Sequence, residues 1–149
     1  MGICNSNNKL NKCDDTIKLF SLDKQTFNAK VVRVYDGDTC FAVFIYNSSP
    51  VKFKIRMEGY DSPEMKPLLT TINRNKEIEN AIKAKEALEK LVLNKIVILE
   101  CGKWDKYGRL LGKIYVKNNN NIINVNEYMV NNGFGYIYNG GTKKIIEYN

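Results

Sequence analysis

Three short stretches of this chain put carboxylates and guanidinium groups at spacings that could do chemistry. They are Asp36-Gly37-Asp38-Thr39, Arg56-Met57-Glu58-Gly59-Tyr60-Asp61-Ser62-Pro63-Glu64 and Asp105-Lys106-Tyr107-Gly108-Arg109. Each alone has a plain explanation: Asp-Gly is a turn signal, Asp-Ser-Pro opens a loop, and Lys-Tyr-Gly-Arg suits a hairpin tip. Their joint presence in a chain with no histidine says more. Without imidazole, the commonest general base at neutral pH and the commonest zinc or copper ligand are both gone. Hydrolysis would have to run on carboxylates, arginines, tyrosines or a hard metal.

Taken together, the three stretches offer those parts. Asp38 and Asp61 are hard oxygen donors suited to Ca²⁺ or Mg²⁺, and Pro63 holds Ser62 extended, so that its carbonyl can face outward. Glu64 stands close enough in sequence to share the pocket and far enough to bind or deprotonate a water instead of coordinating. Arg56 and Arg109 are planar cations for the extra negative charge that builds on a five-coordinate phosphorus, a task lysine serves less well.

Strands must position these groups. Ala29 to Tyr35 is rich in β-branched residues, and Thr39 to Tyr46 is an apolar run of strand length. Next, Val51, Phe53, Ile55 and Met57 alternate with Lys52, Lys54, Arg56 and Glu58, which predicts that Arg56 leaves the core side of its strand. Glu77 to Asn94 reads as one long amphipathic helix, with Ile78, Ala81, Ile82, Ala84, Leu88, Leu91 and Val92 as its stripe. Two further strands are expected at Lys95 to Cys101 and Arg109 to Lys117. Asn118 to Asn121 reads as a turn, and a short helix from Val125 to Asn131 stops at Gly133. The fold class is therefore α+β and mainly β: a five-stranded OB-fold barrel with one long and one or two short helices.

The 149 residues suffice for one domain with a real core. Residues 25–149 are expected to form it, with 1–24 as a flexible N-terminal extension. Net charge is +7, which favours a polyanionic partner or an anionic membrane surface. No apolar run reaches the roughly 20 residues of a spanning helix. Cys4, Cys13, Cys40 and Cys101 form no C-x-x-C pair, and Cys40 and Cys101 suit core positions in a reducing compartment. The opening Met-Gly-Ile-Cys-Asn-Ser fits an N-myristoylation pattern with Gly2 as acceptor, and Cys4 is placed for palmitoylation. A single acyl chain binds membrane only marginally, so Cys4, Lys9 or Lys12 would have to supply a second signal. An apolar core of the 7 to 15 residues that a secretory signal needs does not follow the start. An intracellular protein, membrane-anchored by that lipidation, is one expectation, and a disordered tail is the other.

From roughly Ala29 to Tyr138 the chain resembles the staphylococcal nuclease, or thermonuclease, family, with the motifs in the family's order and spacing. That resemblance implies a five-stranded OB barrel and a calcium-dependent nuclease acting on DNA, RNA or both, with single strands preferred. It implies Asp38 and Asp61 as carboxylate ligands of one Ca²⁺, Ser62 as its carbonyl ligand, and Asp36 as an acid behind them. Glu64 would position or activate the attacking water, Arg56 and Arg109 would bind the phosphate, and Lys106 and Tyr107 would contact the nucleotide. Cleavage of the P–O5′ bond would leave 3′-phosphates. Ser62 stands where threonine is usual, and a ligand acting through its backbone tolerates that. The family's stacking tyrosines do not align without a gap, so Tyr136 or Tyr138 is the candidate for that place. The rival reading is a barrel that binds nucleic acid with little or no activity, membrane-tethered or free. Such a module should have lost one of Arg56, Glu64 and Arg109. A monomer is expected.

Overall fold

A computed structural model describes the backbone of residues 3–144 and side-chain surroundings from residue 7 onward. Gly2 and the Cys4 side chain, the two lipidation candidates, lie outside the described residues. In chain order the elements are α1 (Ile3–Leu10), β1 (Thr26–Asp36), β2 (Thr39–Tyr46), β3 (Ser49–Met57), β4 (Tyr60–Asp61), α2 (Arg74–Val92), β5 (Ile96–Trp104), β6 (Leu110–Asn118), β7 (Asn121–Asn124), α3 (Val125–Asn131) and β8 (Tyr136–Ile137).

The alternating residues of β1, β2 and β3 make two antiparallel hairpins, and the sheet continues in the order β3-β2-β1-β5-β6-β7. Between β2 and β3, Asn47 and Ser48 both take positive φ, 47° and 66°. That is the signature of a two-residue turn whose twist matches the strands it joins. Parallel pairing of Ile55, Arg56 and Met57 with Leu110, Leu111 and Gly112 closes β1, β2, β3, β5 and β6 into a five-stranded barrel. The OB-type expectation is thus met. Closure brings β3 and β6 so near that a Cβ on Gly112 would stand 3.0 Å from Ile55 Cγ2 of β3, and 2.8 Å from Leu99 Cδ1 of β5, so glycine suits the seam there.

Inward residues fill the barrel: Phe27 stacks on Phe44 at 4.2 Å between ring centroids, and Phe44 on Phe53 at 5.4 Å. Such pairs contribute about 0.5–1.5 kcal/mol each beyond the area they bury. Helix α2 starts three residues ahead of the expected Glu77 and buries Ala81, Ala84, Leu88 and Val92. Its stripe is narrower than the sequence suggests, because Ile82 faces water. Buried Asn126 fastens α3 to the barrel seam. Its amide donates to the Glu58 and Gly112 carbonyls at 2.8 and 3.1 Å, and its carbonyl accepts from Ile114 N–H at 3.0 Å.

Three local features differ from the sequence reading. Leu22 is 1% exposed and belongs to the core, with Lys24 N–H donating to the Cys101 carbonyl at 2.8 Å. Packing therefore begins ahead of residue 25. Residues Ile3–Leu10 form a helix, and the Asn-rich turn opens a hairpin into the short strand β7. Cys40 and Cys101 are buried free thiols, and burial pushes them up to about 12 and about 11, which leaves both inert at neutral pH.

Candidate active site

Asp36 ends β1 opposite Thr39 at the start of β2, so Gly37 and Asp38 form the tight turn between them. A Cβ on Gly37 would meet Ala84 Cβ at 2.7 Å and Ser62 Cβ at 2.8 Å. Only glycine lets α2 and the Ser62 segment close on this turn. The contact fixes Asp38: its Oδ2 accepts from both the backbone N–H and the hydroxyl of Ser62 at 2.9 Å, and its Oδ1 accepts from the Thr39 hydroxyl at 2.9 Å. Tyr60 completes the clasp by donating its hydroxyl to the Gly37 carbonyl at 2.8 Å.

Arg56 lies opposite Thr39 on β3 and points away from Ile55 and Met57, as the alternation predicts. It is nearly buried, only 7% exposed, because the chain turns at Gly59 and β4 folds back over it. Nη1 donates to the Met57 and Tyr60 carbonyls at 2.9 and 2.8 Å, and Nη2 donates to Asp61 Oδ1 at 2.6 Å. Asp38 Oδ1 is 3.4 Å away. The guanidinium thus ties together two aspartates that would otherwise repel. A guanidinium has five N–H donors, and these bonds use three.

Asp61 has a second partner that the sequence did not assign. It pairs with Tyr136 of β8 in register, and the Tyr136 hydroxyl donates to Asp61 Oδ2 at 2.9 Å. Burial, then this bond, push the phenol up to about 12. Tyr136 therefore braces an aspartate, whereas Tyr138 lines the cleft. The Lys143 ammonium is 3.2 Å from Asp61 Oδ2 and also donates to Glu64 Oε1. Burial alone would lower this ammonium's pKa, but the Glu64 bond and the two carboxylate charges raise it well above the usual lysine range. Glu64 itself is half exposed, and its backbone N–H donates to Glu77 Oε1 at 2.7 Å. The first turn of α2 thereby holds the segment that carries Glu64.

The loop between β5 and β6 is organised by Asp105. Its Oδ1 accepts from the Tyr107 and Arg109 N–H groups at 2.9 Å, and its Oδ2 accepts from Arg109 Nε at 2.6 Å. Partial burial pushes the carboxyl up, and the hydrogen bonds from Arg109 and Tyr107 outweigh it, leaving the carboxyl below the usual range. Asp105 and Lys143 went unassigned in the sequence. Asp105 had a signal, since aspartate opening a loop commonly caps backbone N–H groups two residues on. Lys143 had none.

One cleft of about 320 Å³ is lined by Asp38, Arg56, Asp61, Ser62, Glu64 and Arg109. Asp36, Lys106, Tyr107 and Tyr138 border it too, so the three stretches converge at one rim of the barrel. Of the expected residues with described side chains, only Tyr136 stands back from the wall. Burial and the charge of Asp38 push Asp36 up to about 6.

Whether this rim suits a hard cation is a question of donors. Among the described residues no three carboxylates or thiols form a ready-made cage. Asp38 and Asp61 are a buried pair, with Ser62 beside them. Calcium takes six to eight oxygens, so water or substrate would have to complete its shell. The position of Lys143 argues for the fit, because an ammonium already lies between Asp61 and Glu64.

A closed five-stranded barrel whose strand ends gather acidic and guanidinium groups into one cleft defines a class of small OB-type domains with a polar site at the rim. The chain belongs to the family described as staphylococcal nuclease homologue, whose model matches residues 54–148. The match includes Arg56, Asp61, Glu64 and Arg109. Asp36 and Asp38 lie ahead of it and are brought in by the β1–β2 turn. An uncharacterized protein of Methanocaldococcus jannaschii is 38% identical, covering 75% of this chain and 59% of its own length. An uncharacterized endonuclease of Escherichia coli is 30% identical, covering 74% and 61%. The chain thus spans about three fifths of the length of these relatives.

Proposed function

We propose that the domain hydrolyses phosphodiester bonds in DNA, RNA or both, on single-stranded or locally opened substrate. The observation behind this reading is the meeting of Arg56, Arg109 and Glu64 with the Asp38–Asp61 pair in one cleft. The 30% identity to an uncharacterized endonuclease of Escherichia coli supports it.

In this reading Asp38, Asp61 and the Ser62 carbonyl hold a calcium ion, which would supply positive charge to the phosphate. Arg109, the less buried of the two arginines, donates to phosphoryl oxygens as negative charge grows in the transition state. Arg56 holds the aspartates in place and turns its remaining N–H donors toward the same phosphate. Glu64 leaves Lys143, orients a water and takes its proton. The water oxygen bonds to phosphorus while the P–O5′ bond breaks, and the departing O5′ takes a proton from solvent, leaving a 3′-phosphate and a 5′-hydroxyl. Lys106 contacts the backbone. Tyr107 and Tyr138 also line an adjoining hollow of about 540 Å³, which suits a base and sugar.

The test uses denatured DNA and single-stranded RNA with calcium or with chelator, on wild type and Glu64→Gln. Degradation should require the ion and fall by two or more orders of magnitude in the variant. Full activity in chelator would remove the metal assignment. No activity on either substrate would favour the binding-module alternative.

A further inference from the structure

The strands leading away from the cleft hold a second feature. Arg33 of β1, Phe41 of β2 and Lys54 of β3 are cross-strand partners in one row. The Arg33 guanidinium lies 4.0 Å from the Phe41 ring centroid, and the Lys54 ammonium lies 4.4 Å from that of Tyr35. Tyr35 remains 55% exposed. In the next row Lys30, Val43 and Lys52 pair in the same way. From Thr26 to Met57 the only acids are Asp36 and Asp38, both at the cleft end. Lys30, Arg33, Lys52 and Lys54 therefore crowd positive charge onto strands with no carboxylate elsewhere to balance it.

Such crowding costs stability through repulsion, and the exposed Tyr35 ring adds little to the core. Both make sense against a polyanion that presents flat bases. Cations track the phosphates, while rings and guanidinium planes offer stacking surfaces. The row also runs into the cleft, since Lys54 shares a shallow depression of about 420 Å³ with Tyr107, Arg109 and Lys143.

We propose that the outer face of β1, β2 and β3 is an extended site for single-stranded nucleic acid, seating nucleotides beyond the one at the cleft. A base stacks on Tyr35, the next on the Arg33–Phe41 pair, and Lys54 bridges them to the phosphate at Arg109. The row spans two strand spacings, roughly 10 Å. This inference rests on the nuclease reading for the direction of the strand, but its test does not depend on cleavage.

The experiment measures Kd by fluorescence anisotropy for a labelled trinucleotide and octanucleotide, with Glu64→Gln as host protein in chelator. The host should bind the octamer at least about tenfold more tightly than the trimer, since one stacked base contributes a factor of that order. Tyr35→Ala with Phe41→Ala should remove most of that gain. Tyr35→Ala alone, at an exposed position, guards against a folding defect and should remove part of it. Lys54→Ala should lower the slope of log Kd against log salt by about 0.7 for the octamer. Equal length dependence in host and variants would overturn the proposal and leave the cation–aromatic contacts as sheet stabilisers. Length-dependent binding beside a wild type that cuts nothing would instead sink the nuclease reading and keep this surface.

Discussion

Lys143 lies with its ammonium 3.2 Å from Asp61 Oδ2 and bonded to Glu64, where a divalent cation would have to approach. In the proposed reading the lysine and the ion would compete for the same oxygens. Lys143→Met removes the competitor and keeps the stem. Calcium affinity measured by titration calorimetry should rise about three- to tenfold, because the ion no longer displaces a half-exposed ammonium, an interaction of modest strength. Unchanged affinity would mean that Lys143 leaves the carboxylates without cost.

Arg56 and Arg109 should separate in a comparison of stability and turnover. Arg56 is buried between Asp38 and Asp61, so Arg56→Ala leaves two carboxylates facing each other, a loss of about 3–5 kcal/mol for a broken buried pair. Arg109 is partly exposed and its partner Asp105 sits on a loop. Arg109→Ala should cost less than about 1 kcal/mol in denaturant unfolding while lowering turnover by two to three orders of magnitude. Equal stability losses would erase the distinction between clamp and phosphate ligand.

Much of this arrangement was legible in the chain because β-strand alternation and motif order are local properties. Strands β2, β3 and β6 and helix α3 follow from residues near each other in sequence, whereas the meeting of Asp38, Asp61, Glu64 and Arg109 was expected only from the joint presence of three distant motifs and their resemblance to a family. What escaped depends on the path of the chain. Leu22 enters the core because residues 24 and 25 hydrogen-bond to Cys101, a pairing with no local signature. Arg56 is buried by two residues of β4, too few for any periodicity. Tyr136 and Tyr138 look equivalent in sequence, and only the β4–β8 register turns the first onto Asp61. Lys143 follows a Gly-Gly pair whose φ values of 98° and 94° steer the chain back across the cleft.

Asp105 is a positioning residue for Arg109, and this can be told apart from a general structural role. Asp105→Asn keeps the size and an Oδ1 acceptor for the Tyr107 and Arg109 N–H groups, so the loop should hold. It loses the charge that faces Arg109 Nε. We expect kcat to fall about tenfold with KM nearly unchanged, because the loss falls on the transition state. A rise in KM with kcat intact would mean that Asp105 shapes substrate binding instead.

Asp36 should make the ion-free protein less stable as the solution turns neutral. Its carboxyl titrates at about 6 in the folded protein, against 3.8 ordinarily, because burial and the Asp38 charge favour the neutral form. A raised folded pKa means that the contribution to stability is full below about pH 4 and lost as pH rises through 6, so at pH 7 the ionised group is a liability. Asp36→Asn removes the titration and keeps an acceptor for the Asp38 N–H. In chelator at pH 7.5 the variant should be more stable than wild type by about 1–3 kcal/mol, as the rise from 3.8 to about 6 corresponds to roughly 3 kcal/mol at most. At pH 3.5 the difference should vanish. Denaturant melts at both pH values check this, and a gap of equal size at each would show that the effect is packing and not ionisation.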